Sequence, residues 1–199
     1  PTKSTAEVAI QKKLDVVNDF LTIDLAKKLA KDKGKADILI ANNVLAHVPD
    51  IKDFVQSIYT LLSTDGVAII EFPYAKNLVQ ENQFDTIYHE HYSYFTLSTL
   101  KTIFNENKLE IVNVKNITTH GGSLRIYGKK MTNKSKVSPY VNEMLINERQ
   151  VKINTNQYFS NMQKTAFESK IKLLHFLIDC KSKDKKVVAR LSMKDVFEV

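Results

Sequence analysis

Two largely apolar runs, ADILIA at Ala36–Ala41 and VAIIEF at Val67–Phe72, constrain the fold of this chain more than any other feature. A continuous apolar run, rather than strict alternation, is the habit of strands buried in a parallel sheet. Parallel strands need crossovers, and helical patterns stand where crossovers belong. Leu21 to Lys33 carries apolar residues at Leu21, Ile23, Leu25, Ala26, Leu29 and Ala30, a helical stripe that Gly34 stops. After the loop NNVLAHVPD, Asp50 is placed to cap a helix whose Phe54, Ile58, Leu61 and Leu62 face a core and which Gly66 ends. Upstream, Thr5–Lys13 reads as a helix and LDVVNDF as a short strand. This alternation makes an α/β sheet the expected architecture.

Downstream the rhythm changes. Thr96 caps a helix running to about Asn107, and two alternating segments follow, LEIVNVKNI and SLRIYGKK, joined by TTHGG. They suit an antiparallel pair closing the edge of the sheet. From Met131 the composition turns to Lys, Asn and Ser, a linker over 131–139. Tyr140 to about Cys180 is mostly helical in pattern, with Leu173, Leu174, Phe176, Leu177 and Ile178 its most apolar part. No internal repeat is present.

Composition narrows the function classes. The net charge is +7, but the lysines are scattered, with modest clusters at KKMTNKSK and KSKDKK. No arginine-rich helix or nucleic-acid module accompanies them, so solubility or an anionic small substrate is the better use of the charge and no nucleic-acid partner is expected. No run of 18 apolar residues exists, so no membrane span is expected. The N-terminus, PTKSTAEVAIQKKL, is charged and amphipathic rather than signal-like. The single Cys180 excludes a disulfide framework, suits a cytoplasmic protein and reads as helix packing.

Chemistry concentrates at FDTIYHEHYSYF, residues 84–95, which holds three of the eight tyrosines and two of the five histidines. Ligands of open α/β sheets sit beyond the carboxyl ends of the strands. ADILIA exits into Asn42, Asn43 and His47, and VAIIEF exits into Glu71, Pro73 and Tyr74, so both exits and the YHEH segment can converge on one rim. His47 is therefore a site candidate, with capping of the next helix as its plainer use. In a helical turn Tyr88 and His91 share a face; in an extended segment His89 and His91 do, as do Tyr88 and Glu90. Two histidines so spaced are a weak metal signal without a third ligand, and no metal is expected. Proton transfer fits better, because histidine titrates near neutrality and a carboxylate neighbour tunes it. A polar loop with tyrosines packed on the core is the structural alternative. His120-Gly121-Gly122 reads as a hairpin turn, with Ser123 and Arg125 beside it able to hold phosphate or hydroxyl groups.

The stretches KADILIANNVLAHVPDI, LLSTDGVAIIEFPY, FDTIYHEHYSYFTLSTL, LEIVNV and THGGSLRIYG, in this order, resemble S-adenosylmethionine-dependent C-methyltransferases acting on nucleotide-linked (TDP-type) keto-deoxysugars. The joint occurrence of NNVLAHVPD, YHEH and HGGSLR carries the resemblance. It covers residues 1–130 closely and the helical region to Ala189 more loosely. It implies a partial Rossmann-like methyltransferase sheet over 1–130 with an antiparallel edge pair, then a mostly helical segment over 140–199 leading into a C-terminal α/β domain that KKVVA would begin. The family's cysteine-rich zinc domain, glycine-containing cofactor loop and ribose-gripping acidic residue have no counterpart in these residues. The closing RLSMKDVFEV also departs from the family pattern. The chain thus reads as a fragment, with an upstream segment or partner chain as an implied partner, and ADILIA is expected to present an unpaired edge. A non-catalytic piece needing another chain to complete the cofactor site is the rival reading.

The resemblance implies S-adenosylmethionine as cofactor, a nucleotide-linked sugar as substrate, and methyl transfer to a carbon next to a ketone. Such a carbon becomes nucleophilic once a base removes its proton, and a tyrosine hydroxyl or second histidine stabilises the oxyanion. By match to the motif, His91 is the base, Tyr88 and Glu90 position substrate or tune it, and His47 lies across the site. Ala41, Asn42 and His47 approach the cofactor. Glu71, Tyr74, His120 and Arg125 are candidate substrate contacts.

Overall fold

The computed structural model describes residues 2–131 and 136–188, which fall in two compact units divided between Thr155 and Asn156. The first unit is built on a four-stranded sheet: β1 (Ala36–Asn42), β2 (Leu62–Pro73), β3 (Leu109–Ile117) and β4 (Ser123–Lys130), in the spatial order β1-β2-β4-β3. β1 and β2 are parallel, joined through α3 (Ile51–Leu61), whereas β4 runs antiparallel to both β2 and β3. The hairpin therefore does more than close an edge, because its second strand inserts beside β2 and leaves β3 outermost.

The helices begin where local chemistry starts them. The Asp50 side chain accepts the Asp53 N–H to cap α3, and Thr96 accepts from Thr99 to cap α5 (Leu97–Glu106). Thr22 does the same for α2 (Ile23–Lys33), which stops at Gly34 with φ of 85°. Each cap satisfies an amide that the helix itself leaves without a partner. The amphipathic faces of α3 and α5 then meet one face of the sheet. Phe54, Val55, Ile58, Leu97, Leu100 and Phe104 are buried against Ala68, Ile70, Phe72, Leu124 and Ile126.

Three expectations change. ADILIA is parallel to β2 and lies at the edge that the resemblance implied, so its buried-strand pattern does not hold: Ile38 and Ile40 are 62% and 63% exposed, while Ala41 on the opposite face is 7% exposed. The physical reason is its place at the sheet's edge, with α3 and α5 covering only the other face. Residues 14–20 (LDVVNDF) form no strand, because no neighbouring strand offers their backbone groups a ladder. The third change is at Gly66, which lies inside β2; α3 ends at Leu61, since Leu62 already takes extended geometry and pairs with Ala36.

Beyond β4, residues 132–135 of the expected linker lie outside the described residues. α6 (Pro139–Gln150) packs on β3 and α5 within the first unit. The second unit is α7 (Asn156–Ser182), a 27-residue helix that buries Cys180 and leaves Phe167, Leu173, Phe176 and Ile178 exposed. Lys185–Val188 join no strand, and the rest of KKVVA and RLSMKDVFEV lies outside the described residues. No helix among the described residues is long and apolar enough to cross a membrane. α1 (Lys3–Gln11) contributes no buried residue, and the short α4 (Ala75–Gln80) follows β2.

Candidate active site

The segment from Phe84 to Phe95 starts with a 3-10 turn, Phe84–Thr86, and makes a further turn in which the His91 N–H donates to the Tyr88 carbonyl at 3.0 Å. Of the two geometries open to YHEH, this is the turned one, so Tyr88 and His91 share a face. The Tyr88 hydroxyl lies 3.1 Å from His91 Nε2, with ring centroids 4.3 Å apart. His89 points elsewhere, with its side chain 91% exposed and Nε2 4.0 Å from the Glu90 carboxylate. Among the described residues no three histidine, cysteine or carboxylate side chains gather as a metal site would require.

Backbone carbonyls decide the tautomers. His91 Nδ1 is 2.8 Å from the Thr86 carbonyl, which only accepts, so the proton sits on Nδ1 and Nε2 keeps its lone pair. The Tyr94 hydroxyl donates to the same carbonyl at 3.3 Å. His47, in the 3-10 turn Leu45–His47 that follows β1, donates from Nδ1 to the Glu90 carbonyl at 3.0 Å. The Tyr92 and Ser93 amides donate in return to the Ala46 carbonyl. These bonds bring the His47 and His91 rings to 4.8 Å.

Burial tunes the pair of groups in useful directions. It pushes the His91 imidazole below the ordinary histidine value, and neighbouring His47 adds to the effect while the Thr86 carbonyl and Glu90 oppose it. Burial, then Glu90, raises the Tyr88 phenol above the ordinary tyrosine value. The result is a neutral imidazole whose Nε2 lone pair accepts from the protonated Tyr88 hydroxyl, the pairing that proton abstraction from a carbon next to a carbonyl asks for.

The remaining candidates divide. Glu71 leaves the end of β2 almost wholly buried, and its carboxylate receives both Nε (3.2 Å) and Nη2 (2.8 Å) of Arg125 and the Thr119 hydroxyl (3.1 Å). β2–β4 register sets Glu71 opposite Arg125 and β1–β2 register sets it opposite Asn42. Glu71 and Arg125 thus satisfy each other. Tyr74 is 3% exposed and donates its hydroxyl to Glu148 at 2.8 Å, a use the sequence did not suggest. His120 lies in the turn Thr119–Gly121, and its side chain is outside the described ones. That turn explains the paired glycines. Gly121 and Gly122 have φ of 74° and 106°, and a Cβ on Gly122 would stand 1.9 Å from Asn77 Nδ2. The Gln83 side chain, just ahead of the YHEH segment, donates to the Gly121 carbonyl at 2.7 Å.

Residues that sequence reasoning missed act through backbone or tertiary position. Thr86, Tyr94 and Thr119 lie inside the FDTIYHEHYSYF and THGGSLRIYG stretches, but nothing in those patterns separates them from their neighbours. Asn43 at least has a signal: it follows Asn42 at a strand exit, and it adopts φ of 53°, a region that asparagine tolerates. Its side-chain oxygen is buried without a hydrogen-bond partner. A cavity of about 740 Å³ lies along the outer strand β3, lined by residues such as Tyr74, Lys115, Tyr140 and Asn147 and by none of the described histidine side chains.

Residues 7–114 match the methyltransferase domain family. The chain belongs to it. Residues 118–190 match the C-terminal domain of C-methyltransferases. The chain is 35% identical over 149 residues to C-methyltransferase NovU of Streptomyces niveus, spanning 75% of its own length and 36% of NovU. It thus spans little over a third of that relative. The fold resembles an S-adenosylmethionine-dependent methyltransferase from Anabaena variabilis, with TM-score 0.51, 17% identity and 65% of each chain covered. It also resembles a possible histamine N-methyltransferase from Thermotoga maritima, with TM-score 0.51, 15% identity and coverage of 66% of this chain and 71% of that one.

The rim beyond β1 bears on S-adenosylmethionine, the cofactor of this family. Ala41 is buried at the end of β1, Asn42 is exposed beside it, and Asn43 supplies the orphaned oxygen. A buried oxygen without a donor marks a place that a ligand or water completes. These three residues fit one wall of such a site.

Proposed function

We propose that the chain carries the proton-transfer half of a C-methyltransferase site for a nucleotide-linked keto sugar. The observation that carries this reading is the lone pair left on His91 Nε2 by the Nδ1 bond to Thr86. His91 takes the proton from the carbon next to the ketone at Nε2. Tyr88, already hydrogen-bonded there, turns its hydroxyl to the ketone oxygen as negative charge gathers on it. Its raised pKa keeps that hydroxyl protonated near neutrality. Glu90 favours the imidazolium once formed, and His47 opposes it from 4.8 Å, so the base is ready to release the proton afterwards. Ala41, Asn42 and Asn43 would hold the methionine end of S-adenosylmethionine. When bound, that cofactor supplies an electrophilic methyl group.

The assignment of the sugar rests on similarity to NovU and on the YHEH and HGGSLR motifs, with the positive charge of the chain suiting a diphosphate. The exposed Ile38 and Ile40 of β1 favour a second reading, in which a further segment or chain must cover this edge before methyl transfer occurs. Proton abstraction alone separates the question of the base from that of the cofactor. A nucleotide-linked keto-deoxysugar in deuterium oxide should exchange the hydrogen next to its ketone faster with the chain than in buffer. Exchange no faster than with the His91→Asn variant would overturn the proposal.

A further inference from the structure

Glu148 is a carboxylate with no place in the chemistry above, and it is 1% exposed. Three donors converge on it: the Tyr74 hydroxyl (2.8 Å) and the Leu97 amide (2.7 Å) on Oε1, and the Ser98 amide (2.8 Å) on Oε2. Leu97 and Ser98 open α5, where backbone amides lack helical partners and the helix end favours negative charge. Thr96 satisfies the next amide, that of Thr99, so α5 starts with its first turn tied down. The Asn154 side chain adds a bond to the Ser98 hydroxyl.

Tyr74 extends the junction to the sheet. It stands where β2 leaves the sheet, its amide on the Gly122 carbonyl and the following Ala75 amide on the Phe95 carbonyl. Tyr74 and Phe95 also form an isolated parallel bridge. Phe95 ends the YHEH segment. One carboxylate from α6 therefore joins the exit of β2, the exit of the segment that carries His91, and the start of α5. Upstream the segment is held by Gln83, and in its middle by the Ala46 carbonyl.

We propose that Glu148, with Tyr74, is a positioning pair for the His91 site, fixing the downstream end of residues 84–95 so that His91 stays on the Thr86 carbonyl and against His47. Its consequence for turnover rests on His91 being the base; its structural content does not. Glu148→Gln should disturb the junction, since the amide group would confront one of three donors with another donor.

The test reads the imidazoles directly by nitrogen-resolved NMR, which five histidines keep tractable. In the unaltered chain His91 should show the Nδ1-protonated form. Glu148→Gln should lose that signature, giving a mixture of tautomers, and should shift the His47 signals as well. Tyr74→Phe, which removes one of the three bonds and keeps the fold, should move them in the same direction by less. Val55→Ala, in the buried face of α3, should lower the melting temperature and leave both imidazoles unchanged. Wild-type His91 and His47 signals in Glu148→Gln, or in Tyr74→Phe if the first variant does not fold, would reduce the pair to plain structural support and overturn the proposal. Loss of sugar hydrogen exchange is a separate result: an imidazole response without any exchange would sink the base assignment and leave the positioning pair standing.

Discussion

The rings of His47 and His91 stand 4.8 Å apart, tilted by 57°, and each gives its Nδ1 proton to a backbone carbonyl. Neither ring can move without breaking a bond to the main chain. Two imidazolium charges so close would repel each other, and His47 adds to the lowering of the His91 imidazole that burial begins.

Stability should record this. Folded His91 binds its proton at lower pH than the unfolded chain, chiefly because of burial. Between the two midpoints the unfolded state holds more protons, so stability should fall as pH drops below about 6.5, the ordinary histidine value. Above that value the group is neutral in both states and contributes no slope. Urea melts between about pH 5 and 7.5 should show the fall in the unaltered chain and a flatter curve in His91→Gln. Equal slopes would mean that some other group titrates.

Exchange of the sugar hydrogen should rise with pH to a plateau whose midpoint lies below the ordinary histidine value, because the neutral imidazole is the active form. His91→Asn should reduce the plateau about 10²–10⁴-fold, the usual worth of a general base. Tyr88→Phe should cost about 10²–10³-fold, as loss of an oxyanion donor does, with little change in the midpoint. A Tyr88→Phe variant as fast as the parent would remove the hydroxyl from the mechanism.

Gly122→Ala combines two penalties, a backbone at φ of 106° and a Cβ 1.9 Å from Asn77 Nδ2. Strain of this kind costs about 1–3 kcal/mol, visible as a lower urea midpoint. Adding Asn77→Ala should return the steric part and leave the backbone part. Complete recovery in the double variant would show that the dihedral was never the constraint.

The 199-residue chain by itself should bind S-adenosylmethionine weakly. Its five glycines lie at positions 34, 66, 121, 122 and 128, and none makes a tight turn out of a strand beside β1. One missing hydrogen bond to a charged group weakens binding by about 1.5–3 kcal/mol, and the family resemblance assigns neither a ribose carboxylate nor the cofactor loop to these residues. Titration calorimetry should give a dissociation constant weaker than micromolar. Micromolar affinity would mean that other residues of this chain complete the pocket.

The sequence made the helices and the parallel pair readable because their signals are local: Asp50 and Thr96 cap, Gly34 stops, and the apolar runs lie side by side. It misled where a strand's state depends on neighbours. LDVVNDF has strand chemistry but no ladder to join, and ADILIA has the composition of a buried strand, its unpaired edge being legible only through the family resemblance. In the site, spacing offered Tyr88 with His91 as one of two geometries, and only the folded turn chose between them. Glu148 was invisible, since an acid in NERQ looks like any solvated helix position until α5 is laid against it. Tyr74 and the Glu71–Arg125 pair were legible as rim residues, but not as groups already engaged with protein partners.

The acceptor that orients His91 is a main-chain atom, the carbonyl of Thr86, which also receives the Tyr94 hydroxyl. No side-chain replacement at position 86 deletes that oxygen. The tautomer of the base is therefore written in the path of the chain, and the Thr86 hydroxyl, which donates to the Gln83 carbonyl at 2.8 Å, helps to hold that path. A proline or a one-residue deletion between Gln83 and Tyr88 would be the damaging change, because it moves the oxygen while leaving every catalytic side chain in place.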